Sequence, residues 1–177
     1  IGGKAFADSA LTSITIPDGV TSIGRGAFAD SALTSITIPG SIKILADGHY
    51  DSIRRWVYRG TFTSCWRLKH VTIKEGVTRI GSYTFFGCSS LTDITIADSV
   101  TSIGVEAFGE CYSLTSVTIP DSVTRIGQYA FSFDTPLRTA YFGGDAPMVV
   151  DSQGMPTTEP VLSEPAVVRY LPGTRGW

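Results

Sequence analysis

The sequence predicts a repeat solenoid of the α/β type, with a parallel β-sheet on one face and short strands and helical turns on the other. Two observations predict this fold. Ile-Gly pairs recur at an even spacing at Ile80, Ile103 and Ile126, and at a slightly closer spacing at Ile1 and Ile23. A Leu-x-x-Ile-x-Ile motif, with Val at some positions, appears once in each of the first five units. A repeat of this length indicates stacked units, none of which can cover its own apolar face.

The Leu-x-x-Ile-x-Ile motif predicts one strand per unit. Its β-branched residues alternate with polar ones, which is typical of a strand with one face in a core. In three units a proline follows and ends the strand. The motif occurs at Leu11/Ile14/Ile16, Leu33/Ile36/Ile38, Leu68/Val71/Ile73, Leu91/Ile94/Ile96 and Leu114/Val117/Ile119.

The remainder of each unit predicts the opposite side of the coil. Asp-Gly or Asp-Ser marks a turn after the strand, and Val-Thr-x-Ile then predicts a second short strand. An Ala-Phe pair follows most of the Ile-Gly pairs, and we expect a helical turn there that directs the phenylalanine inward. These pairs include Ala27-Phe28, Ala107-Phe108 and Ala130-Phe131.

The spacing predicts a single solenoid over residues 1–177, with coils that start near residues 1, 23, 44, 80, 103 and 126. Because the chain starts at Ile1 in the middle of the pattern and without Met, we expect a fragment or a mature segment. After residue 142 the Ile-Gly signal stops. We therefore expect an irregular C-terminal cap over residues 143–177, with a last strand at 167–170.

An insertion interrupts the third coil. The stretch from Ile44 to Ile80 is longer than one repeat, and the excess lies at residues 46–58. Within it, Tyr50, Ile53, Trp56 and Val57 follow i, i+3, i+6 and i+7 spacing, which predicts a short amphipathic helix.

Composition and motifs argue against several function classes. The net charge of −2 disfavours a nucleic-acid binder, and no apolar run reaches the roughly 18 residues that a membrane span needs. No nucleophile-elbow, phosphate-loop or zinc-protease motif is present. We therefore expect no enzyme activity, no cofactor and no metal site.

Three cysteines, Cys65, Cys88 and Cys111, lie one coil apart. Parallel side chains on adjacent coils have poor disulfide torsions, and the odd number leaves one thiol over. No histidine shares their position to complete a metal site. A ladder of small buried hydrophobic side chains is the favoured interpretation.

Charge is unevenly distributed and suggests a candidate site. Residues 43–79 carry eight basic and three acidic side chains, a net of +5, whereas residues 80–166 carry two basic and ten acidic ones, a net of −8. The basic stretch holds the insertion, whose Arg and Trp residues are types enriched in binding hot spots. An alternative is that the insertion packs on the solenoid. The candidate binding residues are His49, Tyr50, Arg54, Arg55, Trp56, Tyr58, Arg59, Trp66, Arg67, Lys69 and His70.

The repeated pattern Ile-Gly-x-x-Ala-Phe-x-x-Cys-x-x-Leu-x-x-Ile-x-Ile-Pro resembles the BspA-like, Treponema pallidum-type leucine-rich repeats. The resemblance covers nearly all of residues 1–45 and 60–142. It implies a bacterial-type cell-surface or extracellular protein that adheres to a protein or glycan partner on another surface, with the basic patch favouring an acidic one. The alternative function is a structural spacer or self-associating scaffold within a larger surface protein.

Overall fold

The computed structural model describes residues 1–48, 50–51, 57–58, 60–132, 137–162 and 167–170, with only the backbone described at 50–51 and 57–58. The strands in these ranges are β1 (Ser35–Ile38), β2 (Tyr50–Asp51), β3 (Val57–Tyr58), β4 (His70–Ile73), β5 (Arg79–Ile80), β6 (Asp93–Thr95), β7 (Ser102–Ile103), β8 (Ser116–Ile119), β9 (Arg125–Gly127), β10 (Thr139–Phe142), β11 (Met148–Val150) and β12 (Val167–Tyr170). No helix in the described part of the chain is long and apolar enough to cross a bilayer.

The Leu-x-x-Ile-x-Ile strands form the first face, as predicted. Its strands are parallel and in register, in the orders β1-β4-β6 and β8-β10-β12, and the two sets meet where β6 neighbours β8. Val71 pairs with Ile36 on one side and Ile94 on the other. Because equivalent residues stand side by side, their buried side chains meet their copies in the next coil, and the strands alternate between exposed and buried positions.

The short Val-Thr-x-Ile strands form the second face. Strands β5, β7, β9 and β11 make one parallel sheet in which Ile80, Ile103, Ile126 and Val149 align. An isolated parallel bridge between Ile44 and Arg79 extends this sheet to the third coil, where Ile44 is exposed and Leu45 is buried.

The Ala-Phe segments are not helical turns, so this part of the prediction was wrong. Ala27 donates to the Gly24 carbonyl and Ala29 to the Gly26 carbonyl, which are the i to i−3 bonds of tight turns. The intervening N–H groups donate to the next coil instead. The inter-coil bonds from the phenylalanine N–H groups measure 2.7–3.0 Å and come from Phe6, Phe28, Phe62, Phe85, Phe108 and Phe131. We call this third set of inter-coil bonds the turn ladder.

The phenylalanines of the turn ladder form a continuous stack through the core. Neighbouring rings have centroids 5.0–5.3 Å apart and are within 4–11° of parallel from Phe6 to Phe131. The rings from Phe28 to Phe131 are almost completely buried. Offset-stacked aromatic pairs add to the free energy of ordinary apolar burial, so the stack is a main source of core stability.

The first coil departs from the prediction. Residues 11–16 form no strand, although they carry the motif, and Leu11 and Ile14 are only half-buried. Coil 1 bonds to coil 2 through the turn ladder, where Phe6 donates to Ala27.

The two ends of the insertion pair as strands of a β-hairpin and do not form the predicted helix. We call these paired strands, β2 and β3, the hairpin arm. Tyr50 pairs with Tyr58, and Asp51 with Val57, in antiparallel register. A helix that runs from Tyr50 to Val57 would place these residues two turns apart, so the predicted helix was wrong for them. Residues 52–56 lie outside the described part of the chain.

The segment after β10 is more regular than the predicted irregular cap. The strand expected at 167–170 is present as β12 and extends the first face. In addition, β11 extends the second face, and Tyr129 and Phe131 donate to the carbonyls of Pro160 and Val161. This segment therefore follows all three sides of a further coil and covers the core.

Candidate functional site

Trp66 and Arg67 lie in the corner that precedes β4. Cys65 and Leu68 are fully buried, and the Leu68 N–H donates to the Cys65 carbonyl at 2.9 Å. This tight turn holds the two intervening side chains outside the core. Trp66 is 51% exposed, and the Arg67 guanidinium carbon lies 4.4 Å from its ring centroid. The pair is a cation–π contact on the surface.

Lys69 and His70 continue this surface onto the first face. The Lys69 N–H donates to the Thr34 carbonyl at 2.9 Å, which fixes the backbone. His70 points outward from β4, and its Nδ1 lies 4.0 Å from the Asp93 carboxylate. Both side chains are more than 60% exposed, so this long contact contributes little stability. We call Trp66, Arg67, Lys69 and His70 the coil-3 patch.

The root of the insertion is held by Asp47. Its carboxylate accepts two hydrogen bonds from the Arg79 guanidinium, at 2.7 and 2.8 Å, and one from the Ser82 N–H at 2.8 Å. Its carbonyl accepts one from Arg25 Nε at 2.9 Å, and the next residue, Gly48, donates to the Ser82 carbonyl at 2.7 Å. The insertion therefore leaves the second face from a fixed point that joins three coils.

The described candidate residues fall into two places. The coil-3 patch lies between the turn ladder and β4. The insertion rejoins the solenoid at Gly60, which packs tightly against the next coil: an added Cβ would lie 1.9 Å from the Tyr83 carbonyl oxygen. The turn segment 61–65 separates the two, and no described contact joins them. Tyr50 and Tyr58 are adjacent in the hairpin arm. His49, Arg54, Arg55, Trp56 and Arg59 lie outside the described residues, so a single continuous site stays a prediction.

The three cysteines form a buried ladder. All are free and fully buried. Each thiol donates to the carbonyl of the phenylalanine in the preceding coil: Cys65 to Phe28 at 3.0 Å, Cys88 to Phe62 at 3.2 Å and Cys111 to Phe85 at 3.4 Å. Burial raises the pKa of the Cys88 and Cys111 thiols well above their usual value. These protonated thiols act as packing groups and hydrogen-bond donors.

Two further findings concern the cysteine position and metal binding. Ser31, the neighbour of Ala32, occupies the cysteine position of coil 2, where its Oγ lies 3.4 Å from Cys65 Sγ. Among the described residues, no group of three or more His, Cys, Asp or Glu side chains could hold a metal ion.

An acidic and tyrosine-rich strip lies on the turn ladder. The Tyr83 hydroxyl donates to Glu106 at 3.3 Å, and the Tyr129 hydroxyl donates to Glu159. Partial burial raises the pKa of Glu106 to about 6; the hydrogen bond from Tyr83 opposes this shift, and the nearby Glu110 adds to it. The sequence shows the acids but not the coil alignment that raises this pKa.

Sequence reasoning also missed part of the first face. Arg138 and Tyr141 stand out there from the Thr and Ser of other coils, but Arg169 aligns with Tyr141 only through the β10–β12 register. The available signal was that Val167 and Arg169 alternate with Val168 and Tyr170 in the expected last strand.

The parallel faces, the phenylalanine stack and the evenly repeated coils define a solenoid of the leucine-rich-repeat class. The BspA type leucine rich repeat region matches residues 1–56 and 56–146 in six copies, so the chain belongs to this family. No curated protein matches the sequence at a significant level.

Three solved structures have similar folds. The T. pallidum leucine rich repeat protein TpLRR is 24% identical, with a TM-score of 0.55 over 69% of this chain and 53% of that one. A leucine-rich repeat protein from Bacteroides ovatus is 22% identical, with a TM-score of 0.57 over 89% and 47%. The pneumococcal vaccine antigen PcpA is 20% identical, with a TM-score of 0.55 over 79% and 31%. The chain thus spans about half, or less, of the length of these proteins.

Proposed function

We propose that this chain is a non-catalytic recognition module of a cell-surface or extracellular protein and that it binds a protein or glycan partner. The observation that carries the proposal is the exposed Trp66–Arg67 pair beside Lys69 and His70. A half-exposed Trp has a large apolar ring to bury, and Trp and Arg dominate binding hot spots. The description of the similar protein PcpA as a vaccine antigen supports a surface location.

The solenoid supports this role by holding the site rigid. Turn bonds within the coil, from Cys65 to Phe62 and from Leu68 to Cys65, fix the backbone around Trp66 and Arg67. Lys69 is bonded to both neighbouring coils, as a donor to Thr34 and as an acceptor from Thr92, so little conformational entropy is lost at this surface on binding. The insertion, whose start is held in place by Asp47, would contribute its arginines to partner binding. The net charge of +5 over residues 43–79 favours an acidic partner and speeds its association at low salt.

The experiment measures binding of the labelled chain to a basement-membrane protein extract and to a cell monolayer. The double substitution Trp66→Ala and Arg67→Ala should weaken binding by roughly tenfold or more. Tyr112→Ala is the matched control, because Tyr112 follows a buried cysteine as Trp66 does and is 45% exposed. Its affinity should be unchanged.

A second variant tests the insertion. Replacing residues 50–58 with a short Gly-Ser linker should also weaken binding while the melting temperature stays close to that of the parent chain. If neither variant changes the affinity, the coil-3 patch and the insertion are not the interface. If the linker variant unfolds, the insertion packs on the solenoid instead of binding a partner.

A structural spacer or self-associating scaffold is the second candidate. It is favoured by coil 1, whose apolar side chains Ile1, Phe6, Leu11, Ile14 and Val20 pack on the core but are only partly buried. Sedimentation over a wide concentration range tests this function. Association that Phe6→Asp abolishes would favour the scaffold, whereas a monomer at every concentration would count against it.

A further inference from the structure

A second exposed aromatic residue stands on the first face, three coils from the coil-3 patch. In β10, Ala140 and Phe142 point into the core, so Thr139 and Tyr141 point outward. Tyr141 lies between Thr118 of β8 and Arg169 of β12 in the parallel register. Its side chain is 45% exposed, and its neighbours on the two flanking strands are therefore a hydroxyl group and a guanidinium.

Two arginines lie on this part of the first face: Arg169 is aligned with Tyr141 in the strand register, and Arg138 is three residues before Tyr141 in the chain. Arg138 directly precedes β10, and its N–H donates to the Thr115 carbonyl at 2.8 Å. Arg138 and Arg169 are both exposed, and neither forms an ion pair within the described residues. The outward positions of β8, β10 and β12 hold no acid; they are Ser116, Thr118, Thr139, Tyr141, Val167 and Arg169. We call Arg138, Tyr141 and Arg169, with the hydroxyls of Thr118 and Thr139, the Tyr141 patch.

The Tyr141 patch carries positive charge, although the neighbouring part of the chain is strongly acidic. Residues 80–166 carry a net charge of −8, and Arg138 is one of only two basic residues among them. The other, Arg125, lies in β9 on the second face. A local cluster of cations in an acidic part of the molecule selects for an anionic group at that position.

We infer that the Tyr141 patch binds a uronic-acid-containing polysaccharide. The apolar face of a sugar ring stacks on an exposed tyrosine, and a guanidinium forms paired hydrogen bonds with a carboxylate. The threonine hydroxyls donate to and accept from sugar hydroxyls. The inference rests on the proposed recognition function but assigns it a ligand class and a different set of residues.

The shape of the surface favours a polysaccharide over an acidic protein. Around Tyr141 the outward side chains are mostly short, and a stable protein interface usually buries about 800 Å² on each partner around an apolar centre. An extended polysaccharide needs only a narrow strip. Lys69, Thr92, Thr115 and Arg138 occupy equivalent positions in successive coils of the first face, and backbone bonds join Thr92 to Lys69 and Arg138 to Thr115. These positions span three strand spacings, or about 14 Å.

The experiment is calorimetric titration of the full chain with oligogalacturonate and with hyaluronan oligosaccharides. At least one of these probes should bind, and Tyr141→Ser should weaken its affinity about tenfold, whereas Tyr141→Phe should retain it. The double substitution Arg138→Gln and Arg169→Gln should weaken it by tenfold or more, because each removes a charge-assisted hydrogen bond. Affinity should also fall as salt rises.

Matched controls separate the patch from general charge and folding effects. Arg125→Gln removes an arginine of the second face, and Tyr112→Ser removes an equally exposed tyrosine outside the strands; both should bind within about twofold of the parent chain. Chitin oligosaccharides serve as the neutral probe. Equal affinity for chitin oligosaccharides, binding of neither uronate, or equal affinity in the Tyr141 and arginine variants would overturn the inference.

Two comparisons keep this inference separate from the proposed function. If polyglutamate binds more tightly than both uronates and competes for the same residues, the ligand is an acidic protein and the polysaccharide assignment is wrong. If the Trp66 and Arg67 double variant loses cell binding but Tyr141→Ser leaves uronate binding unchanged, the recognition function holds and the Tyr141 patch is not the site. If instead Tyr141→Ser weakens uronate binding and the Trp66 and Arg67 double variant keeps its cell binding, the Tyr141 patch is a binding site and the coil-3 patch is not.

Discussion

Asp47 and Arg79 form an ion pair with two hydrogen bonds, of 2.7 and 2.8 Å, which ties the start of the insertion to the next coil. The same carboxylate accepts the Ser82 N–H. Sequence position gives no sign of this contact, since the two residues are far apart in the chain and Asp47 belongs to no repeat motif. The pair explains how an insertion can leave a regular stack without disturbing the coils on either side.

Asp47→Ala should therefore destabilise the chain. It removes an ion pair with good geometry and leaves the Ser82 N–H without its acceptor. Since both side chains are about 40% exposed, solvent screening limits the expected loss to about 1 kcal/mol in urea unfolding. Asp93→Ala is the comparison, because Asp93 lies 4.0 Å from His70 and is 68% exposed. A loss as large in Asp93→Ala would contradict this interpretation.

The phenylalanine stack makes a second prediction. Phe85→Ala removes a fully buried ring with a stacked neighbour on each side, and should cost about 3–5 kcal/mol of unfolding free energy. Phe6→Ala should cost much less, because among the described residues Phe6 stacks on Phe28 alone and is only partly buried. Chemical denaturation with matched m-values measures both. Equal losses at the two sites would mean that ring stacking does not continue through the coils.

Side-chain periodicity was sufficient to predict the two parallel faces and the buried positions. Phe28, Cys88 and Ile103 lie where the repeat places them, because one rule of coil stacking decides all three. The turn ladder was not predictable from local preference. Alanine and phenylalanine suit a helical turn, but the phenylalanine N–H groups instead bond to the neighbouring coil.

The other differences between the predicted and the observed structure also arise from pairing between separate segments of the chain. Residues 50–57 fit both a helix and a hairpin by spacing, and only the pairing of Tyr50 with Tyr58 distinguishes them. The last coil lacks Ile-Gly and Ala-Phe, so Val149 and Val161 fill the corresponding positions without a recognisable motif. Within the candidate site, sequence identified Trp66 and Arg67, but the alignment of Arg169 with Tyr141 depends on the register between two strands that a long connection separates.

The turn ladder requires left-handed backbone at residues other than glycine. Glu110 has φ of 56°, whereas Gly87, at the same position one coil earlier, has φ of 73°. Glu110→Gly should stabilise the chain by about 0.5–1 kcal/mol, since a side chain in this region costs more than the entropy that glycine loses. Gly87→Ala should destabilise it by about 1–2 kcal/mol, because its Cβ would also lie 3.3 Å from Ser64 Oγ.

Thermal and urea unfolding of the two variants check this pair of predictions. Far-ultraviolet circular dichroism of the folded state controls for a change in structure. Stabilisation by Glu110→Gly together with destabilisation by Gly87→Ala would support left-handed backbone strain at this position. If both substitutions destabilise the chain, the Glu110 side chain makes contacts that outweigh its backbone strain.

Glu106 should give the chain a pH-dependent stability. Its pKa is raised to about 6 in the folded chain from an ordinary value of 4.5, so the folded state holds this proton more tightly than the unfolded state. The stabilising contribution is complete below about pH 4.5 and is lost as the pH rises through 6. Because the carboxyl is only partly buried, the change is on the order of 1 kcal/mol.

Two variants test this assignment by urea unfolding between pH 4.5 and 7. Glu106→Gln should remove this part of the pH dependence, because the amide does not titrate. Tyr83→Phe removes the hydrogen bond that lowers the Glu106 pKa, so the loss of stability should extend to a higher pH. Among the described residues, Glu110, Tyr83 and Tyr129 are the titratable groups that interact with Glu106, and the hydrogen bond to Glu159 raises the pKa of Tyr129. If Glu106→Gln keeps the parent chain's pH profile, another group is responsible.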